Sequence, residues 1–101
     1  MRLTGKCKEE FDKYLISNVL YILVDNVVDW VNDLPEAMRF GVFVDYFDSV
    51  NLPIEICIYP YDGNFYYMID DSPRYEGKFK TRPEARTAAI EKANEIRNKQ
   101  L

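Results

Sequence analysis

Four aspartates have the spacing of paired carboxylate sites. Asp45 and Asp48 are three residues apart, and Asp25 and Asp29 are four apart, so on a helix each pair shares a face. Two carboxylates placed in this way could bind a divalent cation or divide the acid and base steps of a reaction. Neither pair lies in a loop of alternating oxygen ligands. The pattern therefore favours solvated helix faces, or an acidic surface for a protein partner, and we expect no metal site and no cofactor.

The sequence lacks the residues that nucleophilic catalysis most often needs. It contains no histidine, so its serines and threonines have no imidazole base. No serine is followed by a lysine at the third position, and the four glycines form no phosphate-binding loop. The sequence therefore predicts a protein that is not an enzyme and has no catalytic residues.

Aromatic residues are concentrated in one short stretch. The five within nine positions are Tyr59, Tyr61, Phe65, Tyr66 and Tyr67. Successive side chains of a strand face opposite ways, so one helical layer cannot bury three consecutive aromatic residues. Some of the tyrosines must then be exposed, as in protein interfaces. Ordinary packing remains open, and so does a stacking platform for single-stranded nucleic acid, with phosphate contacts from Lys78, Lys80 and Arg82.

Charge is distributed unevenly along the chain. Residues 14–73 contain ten acidic residues and one basic residue, whereas residues 74–101 contain eight basic and four acidic residues. The formal net charge is −4, which argues against an ordinary nucleic-acid-binding protein. Glutamates alternate with the basic residues near the C-terminal end, so a mixed solvated helix face is expected there.

Composition indicates one compact domain over residues 1–101. The chain has 101 residues, of which 48% are hydrophobic and 30% charged, typical of a single domain with a good core. Cys7 and Cys57 have no metal-binding spacing, and we expect reduced, partly buried thiols in a cytosol rather than a single disulfide bridge. No secretory signal is visible, and the apolar segment 14–31 contains Asp25 and Asp29, which favours a helix outside the membrane.

Helical periodicity predicts two helices in the first half. The first begins near Lys6 after Thr4, its N-cap, and a break is possible near Ser17 and Asn18. Its apolar face contains Ile16, Val19, Leu20, Leu23, Val27, Trp30, Val31 and Leu34. The second covers residues 36–50 and is capped by Asp33. Its apolar stripe contains Ala37, Phe40, Val44 and Phe47 and is flanked by Phe43 and Val50. Within it, Gly41 suggests a close approach to a neighbouring element.

The second half predicts three strands and a last helix. Alternation indicates strands over residues 54–59, 65–69 and 75–80, with a turn at Asp62 and Gly63. Thr81, Pro83 and Glu84 are typical of a helix start, and Ala85, Ala89 and Ala93 form a small-residue stripe behind it. The order helix, helix, three-stranded antiparallel meander, helix is that of an α+β two-layer domain.

Two stretches resemble a known group of proteins. They are residues 34–50, LPEAMRFGVFVDYFDSV, and residues 81–96, TRPEARTAAIEKANEI. Together they resemble small uncharacterised phage and prophage accessory proteins of gut bacteria. The resemblance implies a small accessory protein made in a bacterial cytosol during infection or from a prophage, and it carries no catalytic residues.

The leading hypothesis is a non-enzymatic protein-binding accessory protein, such as an inhibitor of a bacterial defence system like a CRISPR effector. Its partner would be a host or phage protein, in particular a nucleic-acid-binding effector, and no membrane is involved. The predicted interface residues are Asp25, Asp29, Asp45, Asp48, Tyr59, Tyr61, Tyr66 and Tyr67. Two alternatives stay open: a small nucleic-acid-binding module, by fold analogy with double-stranded RNA-binding domains, and a homo-oligomeric structural protein, for example a homodimer.

Overall fold

A computed structural model describes residues 1–18, 26–70 and 76–101. The elements in these ranges are α1 (Gly5–Ser17), α2 (Val27–Asn32), α3 (Glu36–Ser49), β1 (Ile54–Ile58), β2 (Phe65–Ile69), β3 (Glu76–Phe79) and α4 (Arg82–Gln100). The strands form one antiparallel sheet in the order β1-β2-β3. The predicted α+β class and element order are confirmed. Across the described ranges, no helix has the length and apolarity needed to cross a membrane.

The hairpin between β1 and β2 follows the predicted alternation. Its register runs from Ile54 opposite Ile69 to Ile58 opposite Phe65. At the turn, Asp62 Oδ1 accepts a hydrogen bond from the Asn64 amide at 3.0 Å, which fixes the bend that the sequence predicts. Side-chain exposure on this face increases along β1: Ile54 is buried, whereas Ile58 is 49% exposed. The expectation of a buried side chain at every second position therefore fails at the end of the strand.

Helix α4 organises the core. It contacts all three strands and also α1 and α3. Its predicted small-residue stripe is confirmed, since Ala85, Ala89 and Ala93 are all 0% exposed. Ile90 is equally buried beside them. Small side chains let the helix approach the sheet closely, so the stripe is where the layers meet.

The predicted first helix is not continuous. Helix α1 ends at Ser17 and Asn18 is extended, as the predicted break allows, and α2 begins only at Val27. Positions 19–25, including part of the predicted apolar face, lie outside the described residues. The buried residues of α1 are spaced by four, namely Cys7, Phe11 and Leu15. Because this face differs from the predicted one, burial at Ile16 was wrong: it is 61% exposed. On α2, Val27 and Val31 of the predicted face are buried, whereas Trp30 is 41% exposed, so its predicted burial was wrong too.

Helix α3 has the predicted extent but a rotated buried face. Its N-cap is Pro35, without a side-chain cap, whereas Asp33 is the C-cap of α2. Asp33 lies two residues before the N-cap, so its predicted capping role was wrong. Gly41 has open space where a Cβ would stand, so no close approach explains it, and Ala37 is exposed. The buried residues are Val42, Phe43, Tyr46 and Phe47.

The start of α1 is capped by a distant helix. Thr4 is the N-cap residue but makes no side-chain cap bond; its hydroxyl instead accepts from Asn94 Nδ2 at 2.9 Å. Asn98 Oδ1 accepts from the Cys7 amide at 2.8 Å, and Asn98 Nδ2 donates to the Thr4 carbonyl at 3.1 Å. The orphan amide of α1 that Thr4 would normally satisfy is thus satisfied by α4. We call Asn94 and Asn98 the asparagine clamp.

A glycine leaves room for this clamp. Gly5 has φ +63°, and a Cβ there would stand 3.0 Å from Asn98 Oδ1. A side chain at this position would meet both the left-handed backbone cost and the clamp itself.

Candidate functional site

The sheet has one face towards α4 and one face away from it. Directly paired residues of antiparallel strands share a face, so the buried pair of Ile54 and Ile69 defines the inner side. Cys57 and Tyr66 form a pair of the opposite parity, as do Glu55 and Met68. Cys57, Tyr66 and Met68 are each only half-buried. The outer face is therefore a partly apolar surface on which side chains cover one another.

Two tyrosines pack together on this outer face. The Tyr59 and Tyr66 ring centroids lie 4.6 Å apart at an interplanar angle of 42°. The ammonium of Lys78, a residue of β3, lies 5.7 Å from the centroid of the Tyr59 ring and makes a cation–π contact with it. We call Tyr59, Tyr66, Cys57 and Met68, together with Tyr61 of the loop that follows β1, the tyrosine face.

Lys78 is held by the hairpin turn. Its Nζ lies 2.7 Å from Asp62 Oδ2. This contact lowers the pKa of Asp62 and raises the pKa of Lys78. Both groups are exposed, so the pair contributes little to stability. It does reduce the positive charge that Lys78 could offer to a phosphate, which weakens the stacking-platform alternative.

The remaining predicted tyrosines have opposite environments. Tyr61 lies between β1 and β2 and is 100% exposed. Tyr67 is 6% exposed and stacks on Phe79 with centroids 6.2 Å apart. Tyr67 pairs with Ile56 on the inner side of the sheet, so its predicted place at a contact surface was wrong. Three of the four tyrosines are left for such a surface.

The aspartates lie on helices and not on the sheet. Asp45 and Asp48 are both exposed on α3. Burial raises the pKa of Tyr14 on α1, and the charges of Asp45 and Asp48 raise it further. The two carboxylates therefore lie close enough to the Tyr14 hydroxyl to affect it. We call Asp45 and Asp48 the acidic pair.

The structure describes only one aspartate of the second predicted pair, Asp25 and Asp29. Asp25 lies outside the described residues. Asp29 is in the first turn of α2, where its amide donates to Asn26 Oδ1 at 3.2 Å and its Oδ2 accepts from Asn26 Nδ2 at 2.8 Å. Asp29 thus helps to begin a short helix. Within the described ranges, histidine, cysteine, aspartate and glutamate side chains form no group of three or more that could hold a metal ion.

The basic residues of α4 are largely paired. Lys92 and Lys99 contact Glu95 along the helix, which is the mixed face that the sequence predicts. Two arginines reach other helices instead: Arg86 Nη1 lies 2.7 Å from Glu36 Oε2, and Arg97 binds Glu10. These interhelical pairs hold α4 in place and leave fewer free charges for phosphates.

One partly buried polar cluster was missed by the sequence analysis. Arg97 Nε and Nη2 donate to the two carboxylate oxygens of Glu10, each at 2.9 Å. The Tyr46 hydroxyl donates to Glu10 Oε1 at 2.7 Å. Cys7 Sγ lies 3.7 Å from the same hydroxyl oxygen. We call Cys7, Glu10, Tyr46 and Arg97 the polar cluster; it joins α1, α3 and α4.

The protonation states of the polar cluster follow from these contacts. The bond from Arg97 is the main cause that lowers the pKa of Glu10. Burial is the main cause that raises the pKa of Tyr46 and of the Cys7 thiol. Because the phenol proton points to the carboxylate, the thiol proton is the one left to donate to the Tyr46 oxygen. A buried thiol with a raised pKa is a poor nucleophile, so the cluster is structural.

Fold and surfaces can be set against known proteins. No protein-family model, curated protein sequence or solved structure matches this chain.

Proposed function

We propose that this protein is a non-enzymatic binding protein that contacts another protein through the tyrosine face. The observation that carries the proposal is the fully exposed Tyr61 in the loop that joins β1 and β2, together with the packed ring pair of Tyr59 and Tyr66 at the same end of the hairpin. Tyrosines supply a large rigid contact area with a polar tip, at little cost in side-chain entropy. α4 covers the other side of the sheet, so its packing does not require these rings to be covered.

The acidic pair favours a basic partner. Asp45 and Asp48 are exposed on one helix in the part of the chain that is richest in acidic residues. Carboxylates on a rigid helix can oppose the basic groove of a nucleic-acid-binding protein, and they would raise the association rate at low salt. A nucleic-acid-binding effector is the partner class that we propose.

The biological setting of the proposal rests on the sequence resemblance. The motif of residues 34–50 includes all of α3 and therefore the acidic pair. Its likeness to phage and prophage accessory proteins supports a phage-encoded factor in a bacterial cytosol. The specific function that we propose is inhibition of a defence nuclease, because an acidic helix can bind the basic groove of such an enzyme.

A charge-reversal experiment tests the electrostatic part. The double variant Asp45→Lys/Asp48→Lys is compared with the wild-type protein as bait in a bacterial host lysate. Glu91→Lys, an exposed charge reversal on α4, is the matched control. We expect one basic, nucleic-acid-binding protein to be captured by the wild type and the control and lost with the double variant. With the purified partner, affinity should fall at least about tenfold. Equal capture by all three baits would contradict the acidic-pair contact.

A second variant tests the tyrosine face separately. Tyr61→Ser/Tyr66→Ser removes two exposed or half-exposed rings, and the control Lys80→Gln alters an exposed residue just beyond β3. Loss of the same partner with the tyrosine variant, and its retention with the control, is the expected result. Retention with both would remove the tyrosine face from the proposal.

Self-association is the second candidate function, and three exposed apolar residues favour it. Ile16, Trp30 and Met38 are 61%, 41% and 58% exposed on α1, α2 and α3. Exposed apolar side chains on neighbouring elements are typical of association surfaces. Sedimentation velocity over a wide concentration range tests this candidate. A dimer that the variant Ile16→Gln/Met38→Gln converts to a monomer would support it, and a monomer at every concentration would exclude it.

A further inference from the structure

A cavity lies between the N-terminal segment and the first three helices. Its volume is about 670 Å³, within the range of small-molecule sites. Its apolar wall includes Leu3, Phe11, Val28 and Phe43. Leu3, Phe11 and Phe43 are also core residues, so this wall is built into the fold. Neither the tyrosine face nor the acidic pair contributes to it.

The polar part of the cavity wall is mostly positive. Among the residues that the structure describes, Arg2, Lys8 and Arg39 line it together with a single carboxylate, Asp12. Lys8 Nζ lies 2.6 Å from Asp12 Oδ2, so these two charges largely cancel. The two arginines then give the wall a net positive charge, in a chain whose formal net charge is −4.

The cavity arginines differ from those of α4. Arg86 and Arg97 each bind a glutamate of another helix. Arg39 Nη1 donates to the Asn32 carbonyl at 3.1 Å, and Arg39 Nε is buried without a hydrogen-bond partner. Within the described part of the chain, neither Arg2 nor Arg39 forms an ion pair with a carboxylate. Two guanidinium groups that have no carboxylate partner among the described residues therefore border one cavity.

We propose that this cavity binds a small organic anion that combines one carboxylate with an apolar chain. The apolar wall would take the chain, and the guanidinium groups of Arg2 and Arg39 would take the carboxylate. Guanidinium is the protein group whose donor geometry best matches a carboxylate. The bond from Arg39 to the Asn32 carbonyl already orients its side chain, so little entropy is lost on binding.

Octanoate is the probe that tests the proposal, and 1-octanol is its uncharged counterpart of equal chain length. Calorimetric titration of the wild-type protein should show octanoate binding at least about tenfold more tightly than octanol, because charged hydrogen bonds are the stronger ones. Arg39→Gln should weaken octanoate about tenfold and leave octanol unchanged. Lys80→Gln, which removes one exposed positive charge outside the cavity, should change neither.

A variant with the opposite expected effect separates binding from misfolding. Asp12→Asn removes the carboxylate that repels the ligand and frees Lys8, so octanoate affinity should rise by about threefold or more. A damaged fold would lower affinity instead. Equal affinity for octanoate and octanol, equal losses in Arg39→Gln and Lys80→Gln, or no heat of binding at millimolar octanoate would each overturn the proposal. So would binding to vesicles of anionic lipid without binding to free octanoate.

Discussion

Tyrosine serves two different purposes in the helical core and on the outer face of the sheet. Tyr46 is 1% exposed, packs against Phe11 and Phe47, and its hydroxyl donates a hydrogen bond to Glu10. Tyr61 on the tyrosine face is fully exposed. Burial of a tyrosine stabilises a core when its hydroxyl has a partner. The same residue type therefore has two roles. Tyr46 is structural because its ring is buried and its hydroxyl is bound to Glu10, whereas the exposed ring of Tyr61 is available for contact.

The largest expected effect comes from removing one ring on each side of this comparison. Tyr46→Ala should lower the free energy of unfolding by about 3–5 kcal/mol, because it leaves a cavity among packed aromatic rings. Tyr66→Ala loses the ring contact with Tyr59 and should cost about 1 kcal/mol. Urea denaturation of both variants measures the difference. Similar losses would show that the outer face is as important to stability as the core.

A smaller effect isolates the Tyr46 hydroxyl. Tyr46→Phe keeps the ring but removes the donor to Glu10, and it should cost about 2 kcal/mol because the bond is to a charged group. Tyr61→Phe removes an exposed hydroxyl and should leave stability unchanged. Paired denaturation curves give both values. A neutral Tyr46→Phe would mean that the polar cluster is held by Arg97 and Glu10 alone.

The pH dependence of stability should be smaller again. Glu10 has a lowered pKa in the folded protein, so the unfolded chain binds the proton first as the pH falls. Its stabilising contribution is complete above the ordinary glutamate pKa of about 4.3 and is lost as the pH falls through the lowered folded value.

Glu10→Gln tests this pH dependence. It should cost about 1 kcal/mol at pH 7, since the pair is partly exposed, and it should flatten the acid limb of the stability curve. Glu55→Gln alters an exposed carboxylate on the outer face and should leave that limb unchanged. Identical acid limbs in the wild type and Glu10→Gln would contradict the assignment.

The smallest expected effect on stability is at Tyr61. Tyr61→Ser should change the free energy of unfolding by less than about 0.5 kcal/mol, since its fully exposed ring loses no burial. If this variant also loses the partner captured by the wild type, Tyr61 acts in binding and not in stability, which is the opposite of the role of Tyr46. A clear loss of stability would instead show that Tyr61 is a structural residue.

Local signals in the sequence predicted most of the regular structure. The hairpin strands and the start of α4 agree closely with their predicted positions, because alternation and the bond from the Glu84 amide to Thr81 Oγ1 depend only on neighbouring residues. The acidic pair was placed correctly on an exposed helix face for the same reason. Helical and strand periodicity can be read without knowledge of the partner elements.

Contacts between distant residues could not be predicted in this way. Tyr46 and Glu10 are 36 positions apart and Arg97 and Glu10 are 87 apart, and no pattern along the chain links them. The buried face of α3 was therefore predicted only in part: Phe43 and Phe47 are buried as expected, but Tyr46 was missed, because the partner that allows its hydroxyl to be buried lies on another helix. For the same reason Tyr67 was assigned outwards, although the sheet register turns it towards the core.

The asparagine clamp has a consequence for the order of events at the ribosome. Cys7 and Asn98 are 91 positions apart, so α1 is synthesised long before the side chain that caps it. Until Asn98 has been added and has left the ribosome, α1 can pack on α3 through Phe11 but lacks α4, the other helix that covers it. Such an intermediate exposes hydrophobic surface while it waits. Slowing translation should therefore prolong exposure of this segment to chaperones without hastening completion of the native core.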